Sequence, residues 1–179
     1  MGDEQDQDFV CLELINQILI YSFNLGDGTV QLEATNKTTL DEWQNVEISR
    51  KGRQGTLIVN GQEVGVVSTN GQMDRLSVEG SLYVGGYPGE PPYRGINPTN
   101  FSGCIEELHL DVNPVVLSTS MGENSVGVRP GCAVEPTTLA TFPIPQDGYQ
   151  PGYIQLNGMD LDGRMEISFM FRTLQVFQL

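Results

Sequence analysis

Few residues in this chain have the type and spacing that chemistry requires. His109, the single histidine, stands between Glu107 and Asp111, with Leu108, Leu110 and Val112 at the alternate positions. A histidine beside carboxylates has the makings of a general base. Strand alternation, however, groups His109 with the two carboxylates on one face and turns that face to solvent. The reading is an exposed strand residue. Gly85-Gly86 and Gly52-Arg53-Gln54-Gly55 do not open a helix, as a phosphate-cradling loop must. The carboxylates are spread through turns, which points to solvation rather than to a paired acid and base. No nucleophile constellation stands out, and no enzyme is expected.

Arg50, Lys51 and Arg53 form the one basic cluster. On a hairpin loop these three cations could touch a sulfated glycan or an acidic partner; the plainer reading is a solvated turn balancing an acidic domain. Asn36-Lys37-Thr38 and Asn100-Phe101-Ser102 are glycosylation sequons, whereas proline blocks Asn97-Pro98-Thr99. Cys11, Cys104 and Cys132 are an odd set, allowing one disulfide and one leftover thiol. With only His109 beside them they assemble no zinc site of the usual spacing.

The chain that must position these groups has 179 residues, of which 23 are acidic and 9 are Lys or Arg, for a net charge of -14. That field repels phosphate backbones and anionic lipid, so nucleic acid and membrane surfaces are poor partners. A cationic ligand, a basic protein or a divalent metal suits it better. No apolar stretch approaches the ~20 residues of a membrane span. The start, Met1-Gly2-Asp3-Glu4-Gln5-Asp6, is acidic where a signal peptide is basic and then apolar, and Asp6 fails the myristoylation pattern.

Period-two alternation recurs from the beginning, in Phe9 to Leu14 and in Leu19 to Phe23, and Asp27-Gly28 then marks a turn. Glu47 to Arg50 and Thr56 to Val59 read as a hairpin around Lys51 to Gly55. Asn60-Gly61 is the strongest turn signal and leads into Glu63 to Val67. Ser81 to Val84 and Ile105 to Val112 follow. No long amphipathic helix emerges. The fold class is all-β and antiparallel, a sandwich or a jelly roll. Ala133 to Pro151 carries four prolines and no strand period, which reads as a linker or long loop. Gly152 to Leu156 and Met165 to Phe171 alternate again. The chain stops at Leu179 in mid-strand, which reads as a truncation.

Several of these stretches, in order, resemble the laminin G-like (LNS) module. They are Asp8-Phe9-Val10-Cys11-Leu12-Glu13-Leu14, Asn24-Leu25-Gly26-Asp27-Gly28, Asp41-Glu42-Trp43, and Leu82-Tyr83-Val84-Gly85-Gly86-Tyr87-Pro88. Phe101-Ser102-Gly103-Cys104-Ile105-Glu106-Glu107-Leu108 and the closing Pro130-Gly131-Cys132 complete the set. Gly152-Tyr153-Ile154-Gln155-Leu156 and Ile167 to Thr173 look like the opening strands of a further copy. The arrangement looks most like the tandem G modules of a laminin α chain. It implies residues 1–132 as a module lacking its opening strands, 133–151 as a linker, and 152–179 as the opening strands of a second module. We expect Gly152 to Thr173 to complete the first copy's sandwich, by circular permutation within one chain or by a strand swap between two. The linker reaches up to ~60 Å when extended, ample for either.

The resemblance implies an antiparallel two-sheet jelly-roll sandwich, laminin G-like or concanavalin-like, and further expectations. The closing disulfide joins Cys104 to Cys132 and leaves Cys11 as a buried free thiol. Calcium is the family's recurring ligand, and the matching positions are Asp8, the carbonyls of Leu25 and Arg75, and Ser77. Ser77 stands where a carboxylate or amide is expected, so any calcium site is weak. The implied function is a secreted extracellular matrix adhesion fragment that binds cell-surface receptors, such as integrins, dystroglycan-type glycans or heparan sulfate, and other laminin chains in a full α chain. The acidity argues against heparin as main ligand. The alternative is a lectin-like glycan-binding module of a perlecan, agrin or neurexin-like protein.

Overall fold

The computed structural model describes residues 8–77, 81–89, 100–120, 124–132, 140–142, 152–157 and 163–173. The chain opens as an antiparallel meander of β1 (Phe9–Ile15), β2 (Ile18–Asn24) and β3 (Thr29–Glu33). Its first turn, Asn16-Gln17, has φ of 52° and 70° and so takes the left-handed hairpin geometry without a glycine. A second meander follows in β4 (Gln44–Lys51), β5 (Gln54–Val59) and β6 (Gln62–Ser68). Asn60 and Gly61, both at positive φ, make its second turn.

The remaining elements are β7 (Leu82–Val84), β8 (Gly103–Leu110), β9 (Asn113–Pro114), a single helical turn α1 (Leu117–Ser120), β10 (Ser125–Val126), β11 (Arg129–Pro130), β12 (Ala140–Phe142), β13 (Tyr153–Leu156) and β14 (Arg164–Thr173). The strands form three antiparallel sheets. The large one runs β11-β12-β8-β14-β4-β5-β6, with β9 paired to β8. The smaller sheets are β1-β2-β3 and β10-β13-β7. One apolar core joins all three: Tyr21 and Phe23 from the first meander, Ile154 from β13, and Val46, Leu57, Met165 and Phe171 from the large sheet. The all-β antiparallel sandwich that strand alternation anticipates is present, in the jelly-roll form that the resemblance implies.

The C-terminal segment occupies central positions. β14 pairs with β4 from Arg164↔Lys51 to Phe171↔Gln44, and on its other side with β8 from Ile167↔Leu110 to Thr173↔Gly103. β13 lies between β10 and β7. Met165, Ile167 and Phe171 are buried, as are Ile154 and Leu156, and Phe169 packs against the core half-buried.

Two local expectations need correction. Ala133 to Pro151 is not linker throughout, because Ala140 to Phe142 pair with Gly103 to Ile105 and both Ala140 and Phe142 are buried. Three residues are too few to show a period, so the strand was hidden among prolines. Val112 does not share an inward face with Leu108 and Leu110. It is 90% exposed, in the two-residue turn Asp111-Val112 between β8 and β9. The alternation of β8 also breaks at a bulge, where Glu107 and Leu108 together face Phe169. Glu107 takes φ 52° there, so Ile105 and Leu108, three apart, are both buried.

Candidate functional site

The register of the first hairpin builds one end of the sandwich. Phe9 pairs with Asn24, which sets Asp8, just before β1, and Leu25, just after β2, at the same end. The Asn24 Oδ1 accepts the amides of Gly26 (2.8 Å) and Gly28 (3.1 Å), bending the loop tightly. The buried side chain of Leu25 pins it to the core.

The loop from Thr69 to Ser77 closes over this end. The Ser77 amide donates to Asp8 Oδ2 at 2.6 Å, and the Met73 amide to Asp27 Oδ2 at 2.9 Å. Gly71 lies so close to Asp27 that an added Cβ would fall 2.0 Å from the carboxylate oxygen. From the β4–β5 hairpin, Arg50 Nη1 donates to the Asp74 carbonyl (3.2 Å) and the Gly52 carbonyl (2.6 Å), and Arg53 Nη1 donates to the Gly71 carbonyl (2.7 Å). Leu76, 2% exposed, anchors the loop from within.

The structure therefore brings Asp8, Leu25 and Ser77 to one rim. As a donor set for a hard cation the rim is poor. Of the expected ligands Asp8 is the one carboxylate and already accepts from Ser77, the neighbouring Asp27 accepts from Met73, and among the described residues no three His, Cys, Asp or Glu gather. Calcium prefers six to eight oxygens with several charged. The residues fit at most a weak, exchangeable ion.

The basic cluster is corrected at Arg50. It shares the parity of Val46 and Ile48 along β4 and is 1% exposed, so it is an internal tie and not a surface cation. Lys51 remains exposed and Arg53 is committed to the loop carbonyl. Sequence reasoning missed Arg50, Asn24 and Asp27 as organisers of the rim, although the parity of β4 carried the signal for the first.

Cys104 and Cys132 form the disulfide, with Trp43 packed against it. Cys11 is free but only half-buried, on the strand face it shares with Glu13, while Val10, Leu12 and Leu14 pack on the core. Burial, then the Glu13 charge, push its thiol up to about 12. His109 is half-buried, its Nδ1 2.8 Å from the Glu107 carbonyl, with no partner suited to catalysis among the described residues. Asn36 is exposed. Asn100 is half-buried, its Oδ1 accepting the Tyr87 amide at 3.2 Å. No helix among the described residues is long and apolar enough to cross a membrane.

A sandwich with this rim, and this disulfide across β8, defines a class of β-sandwich binding modules. The chain belongs to the laminin G domain family, whose model matches residues 1–113. It is similar to Neurexin-3a of Danio rerio, 32% identical over 138 residues that cover 70% of this chain and 8% of that protein. Neurexin-2 of Rattus norvegicus is 29% identical over 145 residues, covering 75% of this chain and 8% of the relative. Laminin subunit alpha of Drosophila melanogaster is 24% identical over 180 residues, covering 96% of this chain and 4% of that protein. The chain thus spans less than a tenth of the length of these relatives. No solved structure matches it.

Proposed function

We propose that this chain is an extracellular adhesion module that binds a cell-surface receptor or its glycan through the rim formed by Asp8, the Leu25 loop and the Thr69 to Ser77 loop. The observation that carries the reading is the Ser77–Asp8 bond, which ties the Thr69 to Ser77 loop to the start of β1, distant in sequence, and supports taking this rim as one recognition surface. Integrins and dystroglycan-type glycans are the partner classes that suit an adhesion module. Calcium, held by Asp8, the carbonyls of Leu25 and Arg75, and the Ser77 hydroxyl, would add positive charge to an acidic surface. Asn36 is the better placed of the two sequons for a glycan, being exposed. The test is binding of the immobilised chain to cells, with Asp8→Ala beside the unaltered protein. Loss of adhesion in the variant supports the rim; unchanged adhesion removes it.

The domain reading belongs to the same proposal. Residues 152–179 are the opening strands of a second module, and β13 and β14 within them take the slot that the first module's own opening strands would fill. The laminin subunit alpha likeness supports this, since it extends over 96% of the chain while the family match ends at residue 113. A second reading is a lectin-like glycan-binding module of a perlecan, agrin or neurexin-like protein, the last of which suits the neurexin likeness, and calcium-dependent sugar binding would select it.

A further inference from the structure

The small sheet β10-β13-β7 differs in character from the rest of the chain. None of the described residues of 81–89, 124–128 and 152–157 is charged, although 18% of the whole chain is. Ile154 and Leu156 point into the core, so strand alternation sets Tyr153 and Gln155 on the outer face. Tyr83 is the register partner of Gln155 and shares that face. The chain then turns back through Gly85 and Gly86. Gly85, at φ 89°, lies against the Phe142 ring, where a Cβ would come within 2.0 Å. Gly86 leaves a notch filled by the Asn100 carboxamide, which accepts the Tyr87 amide.

This backbone path sets the Tyr87 ring 4.7 Å from that of Tyr83, and the Tyr153 ring lies 5.9 Å from Tyr83 on its other contact. The rings are half-buried, and among the described residues none of the three phenol hydroxyls is engaged in a hydrogen bond. Beside them Gln155 Nε2 donates to Ser81 Oγ (2.9 Å) and Asn157 Oδ1 (3.0 Å), and the Ser81 hydroxyl donates to the same Asn157 oxygen. Three edge-to-face aromatic rings next to a fixed amide and hydroxyl cluster, with no charge among these described residues, match the alternating C–H faces and hydroxyls of a pyranose.

We propose that Tyr83, Tyr87 and Tyr153, with Gln155, Ser81 and Asn157, form a calcium-independent binding face for a neutral oligosaccharide. Sulfated and sialylated glycans are disfavoured because the chain carries a net charge of -14. Phenols are neutral at physiological pH, and burial first, then Tyr87 and Tyr153, hold that of Tyr83 above its ordinary range. The face shares no residue with the rim and does not rest on the rim's function.

The full chain is tested on an array of neutral oligosaccharides (chitotriose, mannotriose, lactose) and heparin fragments, in chelator, and the strongest neutral ligand is then titrated. At least one neutral sugar should bind in chelator. Tyr83→Ala with Tyr153→Ala should weaken it tenfold or more, and Asp8→Ala should leave it unchanged. Tyr83→Phe with Tyr153→Phe keeps the rings and the fold, and should cost a few-fold through the lost hydroxyls. A blank neutral array, binding of heparin alone, dependence on calcium or Asp8, or indifference to the tyrosine changes would each overturn the proposal. So would loss of self-association, without any sugar signal, in the tyrosine variants.

Discussion

The guanidinium of Arg172 lies over the indole of Trp43, 5.5 Å from the ring centroid, with its Nη2 3.2 Å from the Cys132 sulfur. One side chain of β14 thus touches both the approach to β4 and the disulfide. Asp41 adds an ion pair at 3.6 Å, partly exposed and so a minor contribution. A cation over a half-buried ring contributes about 0.5–2 kcal/mol. Arg172→Ala should lower unfolding free energy by roughly that amount, and Arg172→Lys should recover part of it, since the plane is lost but not the charge. Trp43 is the only tryptophan, so its fluorescence in a urea titration reports the change directly.

Peptide mapping of unreduced protein should return the Cys104–Cys132 cross-link and a free Cys11. Reduction should cost about 3 kcal/mol, the value for a loop of intermediate length. The Cys11 thiol, raised from 9.0 to about 12, should be alkylated near pH 8 more than about tenfold more slowly in the folded than the unfolded chain, the lost thiolate fraction outweighing its gain in nucleophilicity. The sign for stability follows. The folded state holds the proton more tightly, so this contribution is complete below pH 9.0 and declines as pH rises towards about 12. Cys11→Ala should flatten that alkaline decline, and a denaturation series from pH 8 to pH 11 measures it.

Phe171 is buried where β14 crosses the core between β8 and β4. Phe171→Ala should cost about 3–5 kcal/mol. Deleting residues 148–179 removes β14 and bares the unpaired edges of β8 and β4, and aggregation or a large drop in melting temperature is expected. A truncated chain as stable and monomeric as the whole would show that the segment is dispensable.

Calcium affinity should be weak, about 10⁻⁴–10⁻³ M. Calorimetry should show Asp8→Ala abolishing it and Ser77→Asp tightening it, because the second variant restores a carboxylate. Tight binding to the unaltered chain, or indifference to Asp8, would refute the assignment.

Arg50 and Lys51 are neighbours with opposite fates. Arg50→Ala should free the Thr69 to Ser77 loop, at a cost of about 1.5–3 kcal/mol for a charged hydrogen bond, and speed exchange of the Ser77 amide. Lys51→Ala, on the exposed face, should change stability by less than about 0.5 kcal/mol. Hydrogen exchange of both variants separates the two roles.

How these residues came to be legible, or not, follows from the range of the forces involved. Alternation and turn chemistry act over a few residues. The sequence by itself therefore determined the antiparallel strands, the Asn60-Gly61 hairpin and the family stretches from Asp8 to Cys132, with the disulfide they imply. It also held the parity that buries Arg50 beside Val46 and Ile48, although the residue's charge argued for the surface. Strand neighbours are another matter. That β14 sits between β8 and β4, that Ala140 to Phe142 join the large sheet, and that a bulge at Glu107 turns both Ile105 and Leu108 inward were decided only in the tertiary structure. A period of two says which side chains share a face, but not which strand lies beside them. Adjacency and register are selected by fitting apolar faces and unpaired backbone edges from distant parts of the chain, and that fit exists only once the layers have packed.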